Sequence, residues 1–274
     1  MTEERELAAR FAELHRPGDP LVMPNPWDVG SAKILEHLGF AALATTSSGL
    51  AATHGLLDYH VSREVALAHA KTLAGSVDVP VSADLENGYA DDLAGLAETY
   101  RLARETGLSG ASIEDFDPTT EALYDLGAAV ERVAAASEAF HGGDVRPVLT
   151  GRTEAVHVGQ HDLGETVRRL QAYQGAGADV LYAPFLTDLS DIRSVVESLD
   201  RPVNVLLRPG GPSVSDLAAA GVARISIGGG FAYVALGALV TVARQLQGDG
   251  SYAGDLSRLG AEAARAAFGA ARDE

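Results

Sequence analysis

A chain of 274 residues, 46% hydrophobic and 22% charged, has the composition of a folded globular protein, and its length suits one α/β barrel of about 250 residues. A formal charge of −17 excludes nucleic acid and anionic membranes as natural partners, because such affinity comes from Lys and Arg neutralising phosphates. With no cysteine, disulfides, thiolate metal sites and thiol nucleophiles are ruled out.

The opening stretch MTEERELAARFAELH is charged and of helical period, which predicts an N-terminal helix within residues 1–18 and no secretory signal. A cytoplasmic protein is expected. Eight short apolar runs then alternate with helical segments. They are LVMPN (21–25), FAALATT (40–46), VPVSADLE (79–86), GASIEDF (110–116), RPVLTGRTE (146–154), ADVLYAPF (178–185), RPVNVLLR (201–208) and ARISIGG (223–229). The intervening SREVALAHAKTLAG, DDLAGLAETYRLARETG and DLGETVRRLQAYQGAG carry apolar residues every three or four positions, with Ser or Asp at the start and Gly near the end.

Runs apolar on both faces must be covered on both sides. Eight βα units therefore predict a (β/α)8 TIM barrel as a single domain over residues 1–274, with an open doubly wound sheet as the rival. Within residues 231–274, FAYVALGALVTVARQL and AGDLSRLGAEAARAAFGAAR exceed what the eighth unit needs. The second is amphipathic and is expected to pack on a neighbouring subunit of a homodimer or homotetramer. The apolar run within the first is too short to span a bilayer.

Active sites of such barrels lie at the C-terminal strand ends, and here those ends are polar. Asp84 and Glu86 lie two residues apart, so strand alternation directs both to one face, where Glu114 from the next strand also reaches. Their repulsion is relieved by protonation or by a hard cation, and a wet barrel mouth favours the cation, Mg2+ or alternatively Mn2+. Arg152 in LTGRTEA faces an anionic ligand or pairs with Glu154. TTSSG, with Thr45, Thr46 and Ser47, offers amides and hydroxyls to a carboxylate. His157 and His161 are four apart but lack the glutamate of HExxH, so zinc is not expected. Lys33 and Lys71 both fall in helix patterns, which excludes a Schiff-base aldolase.

NPWD, TTSSGLAATHGLLD, SADLENGY, SIED, GRTEA, PVNVLLRPGGPS and RISIGGG, in order from about residue 21 to residue 235, resemble the motifs of the phosphoenolpyruvate mutase/isocitrate lyase superfamily. The resemblance implies a barrel whose last helix is exchanged between subunits. It implies Asp84, Glu86 and Glu114 as magnesium-site acids, partly through water, and Asp58 near the metal. Thr45, Thr46 and Ser47 become the carboxylate cradle, Trp27 a wall beside the substrate, and Arg152 the cation on the reacting oxyanion. Asp28 and Asn204, on the first and seventh strand runs, complete the expected substrate contacts.

Two departures narrow the reading. The lyases of this superfamily carry a cysteine-bearing gating loop after the fourth strand; here that loop reads FDPTTEALYD, so gating would fall to Phe116, Asp117 and Tyr124. The mutase's loop, rich in Lys and Asn, is absent too. Pro184 and Tyr233 stand where tricarboxylate lyases place a further acid and an arginine, which disfavours a large tricarboxylate. The expected activity is a Mg2+-dependent lyase that cleaves or decarboxylates a small 2-oxo or 2-hydroxy dicarboxylate through a pyruvate enolate. Arg152, Glu114 and Asp58 form its catalytic set, with water or Tyr89 as the acid. The alternatives are a phosphonomutase or C–P bond enzyme, and a catalytically silent metabolite-binding barrel.

Overall fold

Apolar runs bounded by Pro, Gly or Asp become strands here because helices with apolar stripes can cover both faces. The computed structural model describes residues 3–159, 162–252 and 254–269. Its strands are β1 Leu21–Met23, β2 Leu43–Ala44, β3 Val81–Asp84, β4 Gly110–Glu114, β5 Phe116–Asp117, β6 Ala122–Leu123, β7 Val148–Arg152, β8 Val180–Tyr182, β9 Val203–Leu206 and β10 Arg224–Ser226. Among the described residues the helices are α1 Glu3–Glu13, α2 Val29–His37, α3 Ser47–Thr53, α4 Arg63–Ala74, α5 Leu93–Arg104, α6 Leu126–His141, α7 Leu163–Gly175, α8 Leu189–Glu197, α9 Val214–Ala219, α10 Gly230–Gly248 and α11 Asp255–Gly269.

Eight strands form one parallel sheet in the order β1-β10-β9-β8-β7-β4-β3-β2. Its two ends meet. The Ala44 amide donates to the Pro24 carbonyl at 3.1 Å. Asn25 donates to the Thr45 carbonyl at 3.0 Å and accepts from the Ile227 and Gly228 amides at 2.9 and 2.8 Å. The expected (β/α)8 barrel is found, and this seam removes the open-sheet rival. Ser62, Asp92, Asp162, Asp188 and Ser213 each cap the helix that follows, so each of these helices starts where a mouth loop ends.

Between strands and helices the core is aliphatic and aromatic, with Leu96, Tyr100, Phe140, Leu149, Tyr173 and Ile192 almost wholly buried. The barrel floor is a second cluster, in which Phe11 of α1 packs with Leu21, Met23, Val148 and Val180. A Cβ at Gly110 would come within 2.7 Å of the Phe11 ring, so glycine is required there. Above the floor the bore turns polar: Ser82, Ser112, Asn204, Arg224 and Ser226 line it. Barrel interiors are more commonly filled by Val, Ile and Leu.

α11 folds back on α2 of its own chain, its Phe268 ring standing against Gly30. The exchange of this helix between subunits is therefore not seen in the single chain. Tyr233, Val234, Leu239, Leu246, Leu256 and Leu259 on or beside these last helices are exposed. Among the described residues, no helix is long and apolar enough to cross a membrane.

Two buried polar clusters fix the barrel's ends. Glu114 closes β4, and Asp115, the residue after it, turns outward to α7. Asp115 accepts from Thr153 Oγ1 at 2.7 Å, the Glu154 amide at 2.8 Å and Arg169 Nη1 at 3.1 Å, tying β4 to β7 and α7. At the floor, His15 Nδ1–H donates to the Phe11 carbonyl at 2.8 Å, which leaves Nε2 to accept from Arg224 Nη1 at 3.2 Å. Burial and the Arg224 charge push the His15 pKa down to about 3.

Asp115→Ala takes the buried acceptor from Thr153, Tyr173 and Arg169, leaves the Arg169 guanidinium paired with Glu165, and is expected to lower unfolding free energy by about 3–5 kcal/mol in a denaturant titration. His15 is neutral in the fold and takes up a proton on unfolding once pH drops below its ordinary value. Its contribution is thus complete above about pH 6.5 and lost at roughly 1.4 kcal/mol per pH unit on the way down to about 3. Thermal unfolding midpoints between pH 4 and 7 should show this slope, and His15→Gln should flatten it.

Candidate active site

A cavity of about 150 Å3 opens at the C-terminal strand ends, its wall joining Thr45, Thr46, Ser47, Asp58, Asp84 and Arg152 at the mouth. Each side chain arrives by ordinary strand alternation: Asp84 closes β3, Glu114 closes β4 and Arg152 closes β7, with Glu114 paired to Arg152 in the ladder. Arg152 Nη1 stands 3.2 Å from Glu114 Oε2 and 3.6 Å from Asp84 Oδ1, and its Nε donates to Glu154. Both readings of Arg152 therefore hold, since it faces the cavity and also pairs with Glu154. Burial works against its charge, yet Glu114, Glu154 and Asp84 raise its pKa above the ordinary value. Tyr182 lies beneath the guanidinium, 5.4 Å from ring centre to Cζ.

Asp84 Oδ2 accepts from the Ser47 hydroxyl at 3.1 Å and lies 3.3 Å from the Ser47 amide. The Thr45 hydroxyl accepts from the Asp84 amide at 2.9 Å, and Thr46 caps α3. The TTSSG cradle thus fastens Asp84 as well as lining the cavity. Glu114 is almost wholly buried and accepts from the Tyr59 hydroxyl at 2.8 Å. Burial pushes its pKa up against the pull of Arg152.

Glu86 corrects the expectation from alternation. β3 ends at Asp84, so Glu86 lies outside the ladder, and its direction is set by a left-handed backbone with φ of 48°. Its carboxyl is still buried near Asp84: burial first, then repulsion from Asp84 and Asp58, pushes its pKa up to about 8. Burial and Asp84 likewise raise Asp58. Glu86 Oε1 and Asp58 Oδ1 are buried without a hydrogen-bond partner among the described residues. Oxygen donors with unsatisfied lone pairs and excess negative charge fit a hard divalent cation in donor type. Among the described residues, no three His, Asp or Glu side chains converge closely enough to enclose a metal unaided.

Other expected contacts fall differently. Asp28 is taken up by capping α2, accepting from the Ser31 amide at 2.7 Å, and is not part of the cavity wall. Its short side chain serves the orphan amides of the first turn, so the expected substrate contact is not found. Trp27 is half-buried beside Gly49 and also off the wall. Asn204 is on the wall, but its amide is engaged by Ser226 and Arg224. The 116–125 segment is not an open loop: β5 and β6 pair as a small antiparallel hairpin. Phe116 is buried against Tyr59, Asp117 holds the turn through Thr119 and Thr120, and Tyr124 bonds to Asn87. Tyr89 lies off the cavity wall. His157 stacks on Phe185, and His161 lies outside the described residues.

Reading the strand ends missed Tyr59, Ser82, Ser112, Tyr182 and Arg224. Ser82 and Ser112 stand two residues before Asp84 and Glu114, so the period of two was the available signal for them. Tyr59 comes from a loop and carries no periodic signal.

The family model described as phosphoenolpyruvate phosphomutase matches residues 11–247. An uncharacterized protein of Mycobacterium tuberculosis is 33% identical over 220 residues, covering 80% of this chain and 81% of its own length. The crystal structure of a candidate lyase/mutase from Burkholderia cenocepacia J2315 is similar with a TM-score of 0.88 and 44% identity, over 92% of both chains. That of 2,3-dimethylmalate lyase has a TM-score of 0.80 and 27% identity, over 92% of this chain and 90% of its own. Fold, ordered motifs and family match agree: the chain belongs to the phosphoenolpyruvate mutase/isocitrate lyase superfamily.

Proposed function

We propose that the protein is a divalent-metal-dependent lyase that cleaves or decarboxylates a small 2-oxo or 2-hydroxy dicarboxylate through a pyruvate enolate. One observation carries this reading: Asp84, Glu114 and Glu154 close on Arg152 at a small cavity, with Asp58 on its wall and the Glu86 carboxyl buried near Asp84. Asp84, Glu86 and Glu114 would hold Mg2+ or Mn2+ partly through water, with Asp58 close by, and the ion would polarise the carboxylate and carbonyl oxygens of a 2-oxo acid. Arg152 faces the cavity as a fixed positive charge for the oxyanion that develops when the C–C bond breaks. Thr46 and Ser47 offer hydroxyls and amides to the substrate carboxylate. Tyr59 holds Glu114 in place through its hydroxyl. The small cavity supports a compact acid over a tricarboxylate.

A phosphonomutase remains the second reading, supported by the family model itself; turnover of phosphonopyruvate would select it. Binding of oxalate with Mg2+ but no turnover across a panel of 2-oxo acids would select a silent metabolite-binding barrel. The exposed apolar side chains of α10 and α11 support a homodimer or homotetramer.

Pyruvate release from a panel of 2-oxo acids, malates and phosphonates is the direct assay. EDTA should abolish it and Mg2+ restore it; activity that survives both chelation and Glu86→Ala would refute the metal-dependent lyase. Arg152→Gln should cost about 10²–10³ in kcat, the typical loss of one oxyanion donor, with a smaller change in KM.

A further inference from the structure

Arg224 is 4% exposed, and all its hydrogen-bond partners among the described residues are neutral. Nε donates to Asn204 Oδ1 at 3.0 Å, Nη2 to Thr150 Oγ1 at 3.0 Å and Nη1 to His15 Nε2 at 3.2 Å. No carboxylate lies within ion-pairing distance of it among these residues, although the protein carries 38 acids. Burying a cation without an anion is strongly unfavourable. Burial accordingly pulls its pKa down to about 10. A structural role alone would be served as well by an apolar side chain of similar volume.

The same residue forms part of the wall of the cavity onto which Asp84 and Arg152 open. A guanidinium has further N–H donors beyond those three bonds. Thr150, which Arg224 touches, precedes Arg152 by two residues on β7, a rise of about 6.6 Å. Arg224 is therefore the deeper of two arginines on the wall of one bore, with Ser82, Ser112 and Ser226 beside them.

The geometry points to Arg224 as the counter-ion of the second carboxylate of a dicarboxylate ligand that enters the bore with its reactive end at Arg152. Asn204 and Thr150 are positioning residues that aim the guanidinium. This deepens the lyase reading and rests on it, because it assigns the orientation of the substrate. The reacting 2-oxo or 2-hydroxy end stays at the mouth, and the remote carboxylate points toward the floor. A monocarboxylic acid of the same length leaves Arg224 uncompensated and binds less well.

Calorimetric titration of the full chain with Mg2+ present, using succinate against butyrate and malonate against propionate, tests this. Wild type is expected to prefer succinate over butyrate by tenfold or more. Arg224→Met, which removes the charge and keeps the bulk, should lose most of that preference while its thermal midpoint holds or rises. Arg224→Lys should keep part of it. A folded Arg224→Met with the wild-type preference overturns the proposal. Should that variant fail to fold, a crystal structure of wild type with malonate decides: one carboxylate against Arg224 supports the assignment, and both carboxylates at the mouth overturn it. Wild type that turns over a 2-oxo acid without favouring dicarboxylates sinks this inference alone. Wild type that shows the preference without any turnover sinks the lyase reading alone.

Discussion

Arg152 touches Asp84, Glu114 and Glu154 at once, so one buried positive charge offsets acids that would otherwise force β3, β4 and β7 apart. The arrangement works because all three strands present alternate residues to the same bore, and because Glu114 and Arg152 are ladder partners. It remains under-compensated: Glu86 and Asp58 add further acids, and burial first, then repulsion from Asp84, displaces their carboxyls toward the protonated form. A site in this state gains from any positive species that enters it. The same electrostatics would hold a divalent cation tightly.

The barrel divides its labour by height. At the floor, Phe11 and its aliphatic neighbours seal the bore as a hydrophobic core does. One layer up, serines, Asn204 and Arg224 replace the branched aliphatics that usually fill such a space. The stability forgone there is supplied outside the barrel, where Leu96, Tyr100, Phe140 and Tyr173 are packed between strands and helices. Asp115, the residue that follows β4, belongs to that outer scaffold. Neighbouring residues at one strand end thus serve the site and its support.

The barrel was legible because the strand runs are closed by turn residues and many of the helices are opened by Ser, Thr or Asp caps. Asp84, Glu114 and Arg152 could be placed together because they sit on regular strands, where the period of two determines direction. The same rule failed for Glu86, which lies past the end of β3, where no ladder enforces alternation. Asp28 stood close to the expected site in sequence, yet the unpaired amides at the start of α2 claim its carboxylate. Tyr59 reaches Glu114 from a loop, and β5 and β6 are two-residue strands too short to show a period. Arg224 was visible as a charge inside an apolar run. What could not be read was its environment, since His15, Thr150 and Asn204 come from three distant parts of the chain.

Tyr59, Glu86, Tyr89 and Phe185 all hold positive φ, and none is glycine. Left-handed backbone costs an ordinary residue about 1–2 kcal/mol, so the loops at this end of the barrel are kept under tension by their own side chains. Glycine at Glu86 would relax the backbone and remove a buried carboxylate in one step. A laboratory selection rewarding heat resistance alone should therefore drift toward glycine there, yielding a hardier barrel without one of the acids proposed to hold the metal.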